Sequence, residues 1–202
     1  MSLLSGDHRA DGSRYVPYEE RSGNESLVYF TRDLSAAGLR RAFDKIQAPL
    51  SGSIAVKLHT GEKNGPNIIP FGWVKELFET EDRLKDAVIV ETNTYYEGDR
   101  YTTEDHRETL KVNGWTFCPV DIMDEEGTVC LPIEGGKWMK EMSHGSHMLN
   151  YDSLLTLTHF KGHVMGGFGG SNKNIGIGCA DAPSNAPLTP TPSAREETSA
   201  PT

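Results

Sequence analysis

Short apolar runs alternate with segments of helical periodicity between residues 27 and 178. The apolar runs are four to six residues long, as strands are, whereas the helical segments place apolar side chains three and four residues apart. Strands are predicted at residues 27–31, 54–58, 87–90, 117–122 and 153–158, and helices at residues 35–46, 72–78, 102–114 and 144–149. Because strands that alternate with helices are typical of βαβ units, we expect a three-layer α/β domain in which helices flank a mostly parallel sheet.

Local signals support two of the helices and predict one departure from the alternation. Ser35 precedes the first helix as a cap, and Thr102 begins a Thr-x-x-Asp capping box. Residues 123–133 are predicted to form a β-hairpin that turns on residues 125–127. A calcium loop is not expected in this acidic segment, because the carboxylates of residues 121–127 do not have the required spacing.

Both flanks differ in composition from this core. Residues 1–26 are polar and aperiodic, and after Gly178 the chain consists mainly of Ala, Pro, Ser and Thr, with Leu188 as its single large aliphatic residue. Such segments bury too little apolar surface to offset their ordering entropy. We therefore expect a disordered arm (1–26), one domain (27–178) and a disordered tail (179–202). Because the break interrupts a patterned glycine-rich stretch, the tail is also interpreted as an artefact, such as a shifted reading frame.

Composition excludes several classes of protein. A net charge of −9 argues against a nucleic-acid partner, which would require a basic stripe. No apolar run approaches the roughly 20 residues of a membrane span, and the first residues lack the apolar stretch of a secretory signal. Cys118, Cys130 and Cys179 form no C-x-x-C pair, which argues against a disulfide framework or a four-cysteine metal site. We expect a cytoplasmic protein without membrane contact, and the oligomeric state stays open.

Ionisable side chains follow four of the predicted strands. Lys57 and His59 share one face after the second strand, Glu91 follows the third, Asp121 the fourth, and residues 159–163 the fifth. Because open α/β sheets bind ligands beyond the carboxyl ends of their strands, this pattern predicts a pocket there. The alternative is that polar residues collect at strand ends simply because the chain meets water there.

The segment 159–178 contains seven glycines. Glycines at this density let backbone amides approach a ligand, and Ser171 or Asn172 is predicted to cap a helix whose first turn carries Lys173. The predicted anion-binding residues are Gly166, Gly167, Gly169, Gly170, Asn172 and Lys173. Neither the dinucleotide-binding nor the P-loop pattern is met. The alternative is a tight turn that packs a helix against the sheet.

Histidines provide a candidate metal site. His159 and His163 are four residues apart, and His59 from another strand end would complete a three-histidine ligand set. The alternative is that hydrogen-bonded histidines orient the loop. His106 is expected either to face the same crevice or to be exposed on its helix, and His144 and His147 are expected to be solvated.

Several motifs together resemble the domain of unknown function 362 family. They lie at residues 28–31, 56–62, 102–106 and 120–124, and above all in the run from His159 to His163 followed by 166–170. The resemblance implies a label of uncharacterised iron–sulfur-centre protein, and many relatives carry a ferredoxin-like module with clustered cysteines downstream. This chain has no such cluster, so no intact iron–sulfur motif is expected in it. The glycine-rich stretch is also similar to that of lactate racemase-like enzymes, which use a nickel-pincer cofactor and catalytic histidines.

Three functional hypotheses follow from these residues. In the first, an anion binds the glycine-rich loop, Lys57 or Lys161 neutralises its charge, and a proton moves through Glu91, His106 or His159. Racemase-like proton transfer on a carboxylate is the most natural chemistry for that set. In the second, the domain docks a metal or iron–sulfur module without catalysis of its own. In the third, it binds a ligand without turnover.

Overall fold

The computed structural model describes residues 28–46, 49–137, 139–164 and 166–181. The predicted arm (1–26) and residues 182–202 of the predicted tail lie outside these ranges. The chain divides into two compact parts between Arg32 and Asp33, and the elements below all follow that division. In the short described part before it, residues 28–31 are not part of any sheet, so the strand predicted there is wrong. Their aromatic and β-branched composition favours a strand, but a strand also needs a paired neighbour.

A four-stranded parallel sheet forms the centre of the domain, as the alternation predicts. Its strands are β1 (Ile54–Lys57), β2 (Val88–Glu91), β3 (Val120–Ile122) and β6 (Ser153–Thr156). The two strands that lie between β3 and β6 in the sequence form a separate sheet, which is described below. The strand order is β3-β2-β1-β6, and all neighbours run parallel. The carboxyl ends of the four strands therefore lie at one edge, where polar residues from distant parts of the sequence can meet.

Helices α1 (Ala36–Phe43), α2 (Phe71–Thr80) and α3 (Thr103–Val112) confirm three of the predicted helices. The Ser35 hydroxyl accepts a hydrogen bond from the Gly38 N–H at 3.2 Å, and the Thr102 hydroxyl accepts one from the Asp105 N–H at 3.2 Å. Both side chains thus satisfy backbone donors that the first helical turn leaves free, as their residue types predict.

Both faces of the sheet are covered, which gives the predicted three layers. Val56 and Ile89 belong to an apolar cluster that includes residues of α1, α2 and α3. Their strand neighbours Ala55 and Val90 point to the other face, where they pack with Ile175 of the helix α4 (Ser171–Gly178). Burial on both faces explains why β1 and β2 are apolar along most of their length.

The predicted hairpin at 123–133 is wrong in its pairing. Strand β4 (Thr128–Pro132) pairs antiparallel with β5 (Glu141–Gly145), and residues 125–127 instead form the turn that leads from β3 into β4. A 3₁₀ helix (Ser146–Asn150) follows β5 where the short helix was predicted. Alternation along β4 indicates a strand, but it cannot identify a partner that lies nine residues further along the chain.

A second antiparallel pair lies within the glycine-rich stretch and was not predicted. Strand β7 (Lys161–His163) pairs with β8 (Gly167–Gly169), and Gly167 adopts a positive φ of 73° at the turn. The packed chain then continues past α4, since Cys179, Ala180 and Asp181 are buried and Ala180 forms a bridge with His144. Among the described residues, no helix has the length and apolar character that crossing a bilayer requires.

Candidate functional site at the strand ends

A cavity of about 190 Å³ lies at the carboxyl ends of β1, β2 and β6. Three of the four strand ends singled out in the sequence contribute to it, through Lys57 and His59, residues 91–93, and His159 and Lys161. The residues of the cavity wall are Lys57, His59, Glu91, Thr92, Asn93, Thr94, Tyr95, Tyr96, Arg100, Thr158, His159, Lys161, Gly169, Gly170, Lys173, Asn174, Ile177 and Gly178. Asp121 at the fourth strand end is not part of this wall.

Lys57 and Glu91 form a buried ion pair in the cavity wall. Lys57 Nζ lies 2.6 Å from Glu91 Oε2 and also donates to the Leu58 carbonyl oxygen at 2.6 Å. Glu91 Oε1 accepts from both the N–H and the hydroxyl of Thr60, at 2.8 and 2.9 Å. Burial alone raises the pKa of Glu91, but the positive charges of Lys57 and Arg100, with smaller contributions from neighbouring histidines, together outweigh it and hold the pKa well below the usual range. Glu91 is therefore a carboxylate at neutral pH.

His59 and His106 are neutral at pH 7, but only His59 lines the cavity. Burial lowers the pKa of each imidazole to about 4. His106 Nδ1 lies 3.2 Å from Asn93 Oδ1, an acceptor, so Nδ1 carries the hydrogen. His106 Nε2 then carries a buried lone pair that no described residue meets with a hydrogen-bond donor. Of the two sequence expectations for His106, a crevice or an exposed helix position, the second is wrong because the side chain is fully buried.

Arg100 is a wall residue that the sequence did not single out. Its side chain is only 6% exposed, and its Nη2 forms an ion pair with Glu62 and donates to the Tyr96 hydroxyl at 3.0 Å. Tyr96 in turn donates to Glu62 at 2.7 Å. No sequence signal distinguishes this arginine, because residues 92–102 read as an ordinary polar loop and its burial depends on contacts with the loop after β1.

Two lysines add positive charge from β7 and α4. Burial and the nearby charge of Lys161 both lower the pKa of Lys173. Neither lysine has an ion-pair partner within the described ranges. Helix α4 begins beside them at Gly170, whose position at the cap is not stabilised by any side-chain hydrogen bond. The predicted helix is present, but the predicted cap at Ser171 or Asn172 is wrong, since both residues lie inside it.

The glycine-rich loop contributes only part of its predicted anion-binding set to the cavity. Gly169, Gly170 and Lys173 lie in the wall. Gly166 and Gly167 form the turn between β7 and β8 instead, and Asn172 faces a neighbouring cleft next to the exposed rings of Phe160 and Phe168.

The family described as Domain of unknown function (DUF362) matches residues 54–190, about two thirds of the chain. The chain belongs to this family. The match covers every wall residue and extends past Gly178, where the composition changes. Comparisons with curated proteins and with solved structures gave no match.

In this DUF362 domain, the three histidines of the predicted metal site do not come together. His59 and His159 line the cavity, but His163 does not. The antiparallel turn directs His163 Nδ1 back to the Gly166 N–H, from which it accepts a hydrogen bond at 3.1 Å. A spacing of four residues places two side chains on one face only within a helix, and His163 belongs to β7.

A different group of side chains in the DUF362 domain has the spacing of metal ligands. Asp121, Glu125 and His147 offer ligand atoms that all lie within 4.8 Å of one another. His147 Nδ1 lies 2.8 Å from Asp121 Oδ1 and its Nε2 lies 3.2 Å from Glu126, and these hydrogen bonds raise the pKa of His147. The expectation that His147 is merely solvated is therefore wrong.

His144 is also not merely solvated. It is half-buried, with Nδ1 3.0 Å from the Met142 carbonyl oxygen, because its strand β5 bridges to Ala180.

Proposed function

We propose that the cavity binds a small anionic ligand and that the bound ligand exchanges a proton with the protein. Four cationic side chains and one carboxylate line the cavity, in a chain whose net charge is −9. Two of the cations are paired with Glu91 and Glu62. The remaining pair, Lys161 of β7 and Lys173 in the first turn of α4, carries the proposal, because neither lysine has a carboxylate partner among the described residues.

His159 is the residue we assign to proton transfer. It lines the cavity, and its Nδ1 is buried without a hydrogen-bond partner in the part of the chain that the structure describes. Glu91 is occupied by Lys57, and His106 is outside the wall, so the other two sequence candidates are less suited to the role. Lys57, Glu91 and His106 then support the site rather than react.

The proposed chemistry is abstraction of a proton next to a carboxylate. The C–H bond beside the carboxylate breaks, the proton passes to His159, and the electron pair moves onto the carboxylate oxygens. Lys161 and Lys173 stabilise the charge that develops there. Return of the proton to either face of the carbon would give the racemase-like outcome that the glycine-rich stretch suggests.

Calorimetric titration with butanoate and with inorganic phosphate tests anion binding. We expect binding by the unmodified protein and about tenfold weaker binding by Lys161→Gln and Lys173→Gln, since each variant removes one charge-assisted contact. Lys75→Gln is the matched control, because Lys75 lies on α2 in an exposed pair with Glu79. Absence of binding, or an equal loss in the Lys75 control, would contradict the proposal.

Hydrogen exchange tests the proton transfer separately. In D₂O, the C2–H signal of 2-hydroxybutanoate is expected to decay in proton NMR spectra with the unmodified protein and with His144→Gln. It is expected to persist with His159→Gln, although that variant still binds the acid. Binding without exchange in the unmodified protein would favour a binding module without turnover.

A second candidate function is the handling of a metal or iron–sulfur module, in which this domain docks a ferredoxin-like partner. The close grouping of Asp121, Glu125 and His147 supports it. The three cysteines do not, since Cys118, Cys130 and Cys179 lie in separate elements and burial raises the thiol pKa of the first and third to about 11. Stoichiometric iron or nickel in purified protein, lost in His147→Gln, would favour this candidate. A cytoplasmic location remains a prediction under either candidate.

A further inference from the structure

Arg100 has unused hydrogen-bonding capacity within the cavity wall. Its Nη2 makes both of its hydrogen bonds, to Glu62 and to Tyr96. Nε is sealed from solvent without an acceptor, and Nη1 likewise has none among the described residues. A guanidinium carries five N–H donors, so most of the donors of this buried cation are unpaired.

An anionic oxygen is the acceptor that would complete this arrangement. Buried polar groups are nearly always hydrogen-bonded, and a buried guanidinium with open donors is the exception that calls for a partner. Because Nη2 is occupied, the fork cannot form two parallel bonds to a ligand, and the N–H groups of Nη1 are the donors that remain for a charge-assisted hydrogen bond to a carboxylate oxygen. Glu62 and Tyr96 hold one nitrogen of the fork and thereby orient the others before a ligand arrives.

Two cationic groups, Arg100 on one side and Lys161 with Lys173 on the other, come from different parts of the cavity wall. Arg100 lies in the loop between β2 and α3, whereas Lys161 and Lys173 lie in β7 and α4. The pKa of Lys173 is lowered by burial and by Lys161, with no contribution from Arg100. Burial is the main cause of the lowered pKa of His59, and the charges of Arg100 and Lys161 each lower it further, so His59 is within electrostatic range of both.

We infer that the cavity takes a small dicarboxylate, with one carboxylate held by Lys161 and Lys173 and the other by Arg100. The inference rests on the proposed anion-binding function and specifies its ligand class. Among the described wall residues, Glu91 is the one carboxylate that could repel a dianion, and it is already paired with Lys57. Two separated cationic groups favour a ligand with two anionic ends over one with a single end, because a monocarboxylate leaves one group unpaired.

Matched pairs of acids test this inference. The probes are malonate, succinate and glutarate, each titrated against the monoacid of the same carbon number: propanoate, butanoate and pentanoate. For at least one pair, we expect the unmodified protein to bind the diacid about tenfold more tightly than the monoacid. In Arg100→Gln this ratio is expected to fall to about one, because the second carboxylate of the diacid loses its partner.

Two further variants keep the test decisive. Arg100→Lys retains the charge but loses the fork, so we expect an intermediate ratio. Tyr96→Phe removes one anchor of Arg100 from a half-exposed position and is expected to lower the ratio even if Arg100→Gln does not fold, as judged by circular dichroism. An unchanged ratio in the folded Arg100 variants, or no preference for any diacid, would overturn the inference. Monoacid binding that still depends on Lys161 and Lys173 would leave the proposed function intact, whereas no binding of any acid would remove both.

Discussion

Lys57 Nζ lies 2.6 Å from Glu91 Oε2, and the two side chains are only 1% and 2% exposed. The pair joins the carboxyl ends of β1 and β2, two neighbouring strands of the parallel sheet. Lys57 also donates to the Leu58 carbonyl oxygen, and Glu91 also accepts two hydrogen bonds from Thr60. These additional hydrogen bonds fix the positions of both side chains. This relationship makes the pair a structural support of the cavity as well as part of its wall.

Removal of either member of this pair is expected to destabilise the protein strongly. Lys57→Met and Glu91→Gln should each lower the free energy of unfolding by about 3–5 kcal/mol, because each leaves the other polar group buried without its partner. In urea titrations, the double variant Lys57→Met/Glu91→Leu should lose much less than the sum of the two single losses. A single-variant loss below about 1 kcal/mol would show that the pair behaves like an exposed ion pair.

Substitution of Gly178 tests the close contact between α4 and this ion pair. A Cβ at Gly178 would overlap Lys57 Cε and Nζ, and Lys57 cannot move aside without leaving Glu91. We expect Gly178→Ala to cost about 1–3 kcal/mol in urea unfolding. Gly176→Ala in the same helix is the control, since a Cβ there meets nothing within 4 Å, and it should be neutral or stabilising by up to about 1 kcal/mol. Equal effects of the two substitutions would contradict the packing described for Gly178.

The lowered pKa of His106 predicts that the folded protein loses stability in mild acid. Its folded pKa is about 4, below the unfolded value near 6.5, so the unfolded chain binds the proton more readily between these values. The contribution of His106 is therefore present above pH 6.5 and is lost as pH falls toward 4, at about 1.4 kcal/mol for each pKa unit of difference.

The measurement is the free energy of unfolding between pH 7 and pH 4.5 for the unmodified protein and for His106→Gln. The variant should show a shallower decline over this interval. Glu91 does not confuse the comparison, because its pKa is lowered and its carboxylate titrates at more acidic pH. Parallel pH profiles would mean that His106 titrates normally in the folded chain.

The lowered pKa of Lys173 predicts that the affinity of the cavity for anions weakens in alkaline solution. Burial and Lys161 lower the pKa of Lys173, so its charge is lost at lower pH than that of an exposed lysine. Sulfate is a suitable probe because it remains a dianion throughout. Titrations from pH 7 to pH 10 should show decreasing affinity for the unmodified protein and a flatter profile for Lys173→Arg, whose guanidinium stays charged. Identical profiles would separate Lys173 from the anion.

Local sequence signals were sufficient for the elements that depend on nearby residues. Ser35 and Thr102 cap the predicted helices, and the apolar run before Glu91 is a strand buried on both faces. Caps and periodicity act over a few residues, so the sequence records them directly. Convergence of the strand ends could also be anticipated, since parallel strands place their carboxyl ends at one edge.

Pairing between distant segments could not be obtained in this way. The partner of β4 is β5, not the acidic turn before it, and β7 with β8 forms a hairpin although its glycines disfavour strands. The same limitation affected the candidate metal site: His59, His159 and His163 were predicted to form one ligand set, whereas His163 lies in the hairpin and outside the cavity wall.

The sequence alone therefore determined the α/β class, the helix starts and the strand ends that bear charge, because these follow from local preference and from the geometry of parallel sheets. Only the tertiary structure decided which charges are neutralised and which are not. Arg100 is buried against Glu62, Lys57 is paired with Glu91, and Lys161 and Lys173 lie in the same cavity wall. Burial and Coulombic interaction depend on distances between residues far apart in the chain, and folding alone sets those distances.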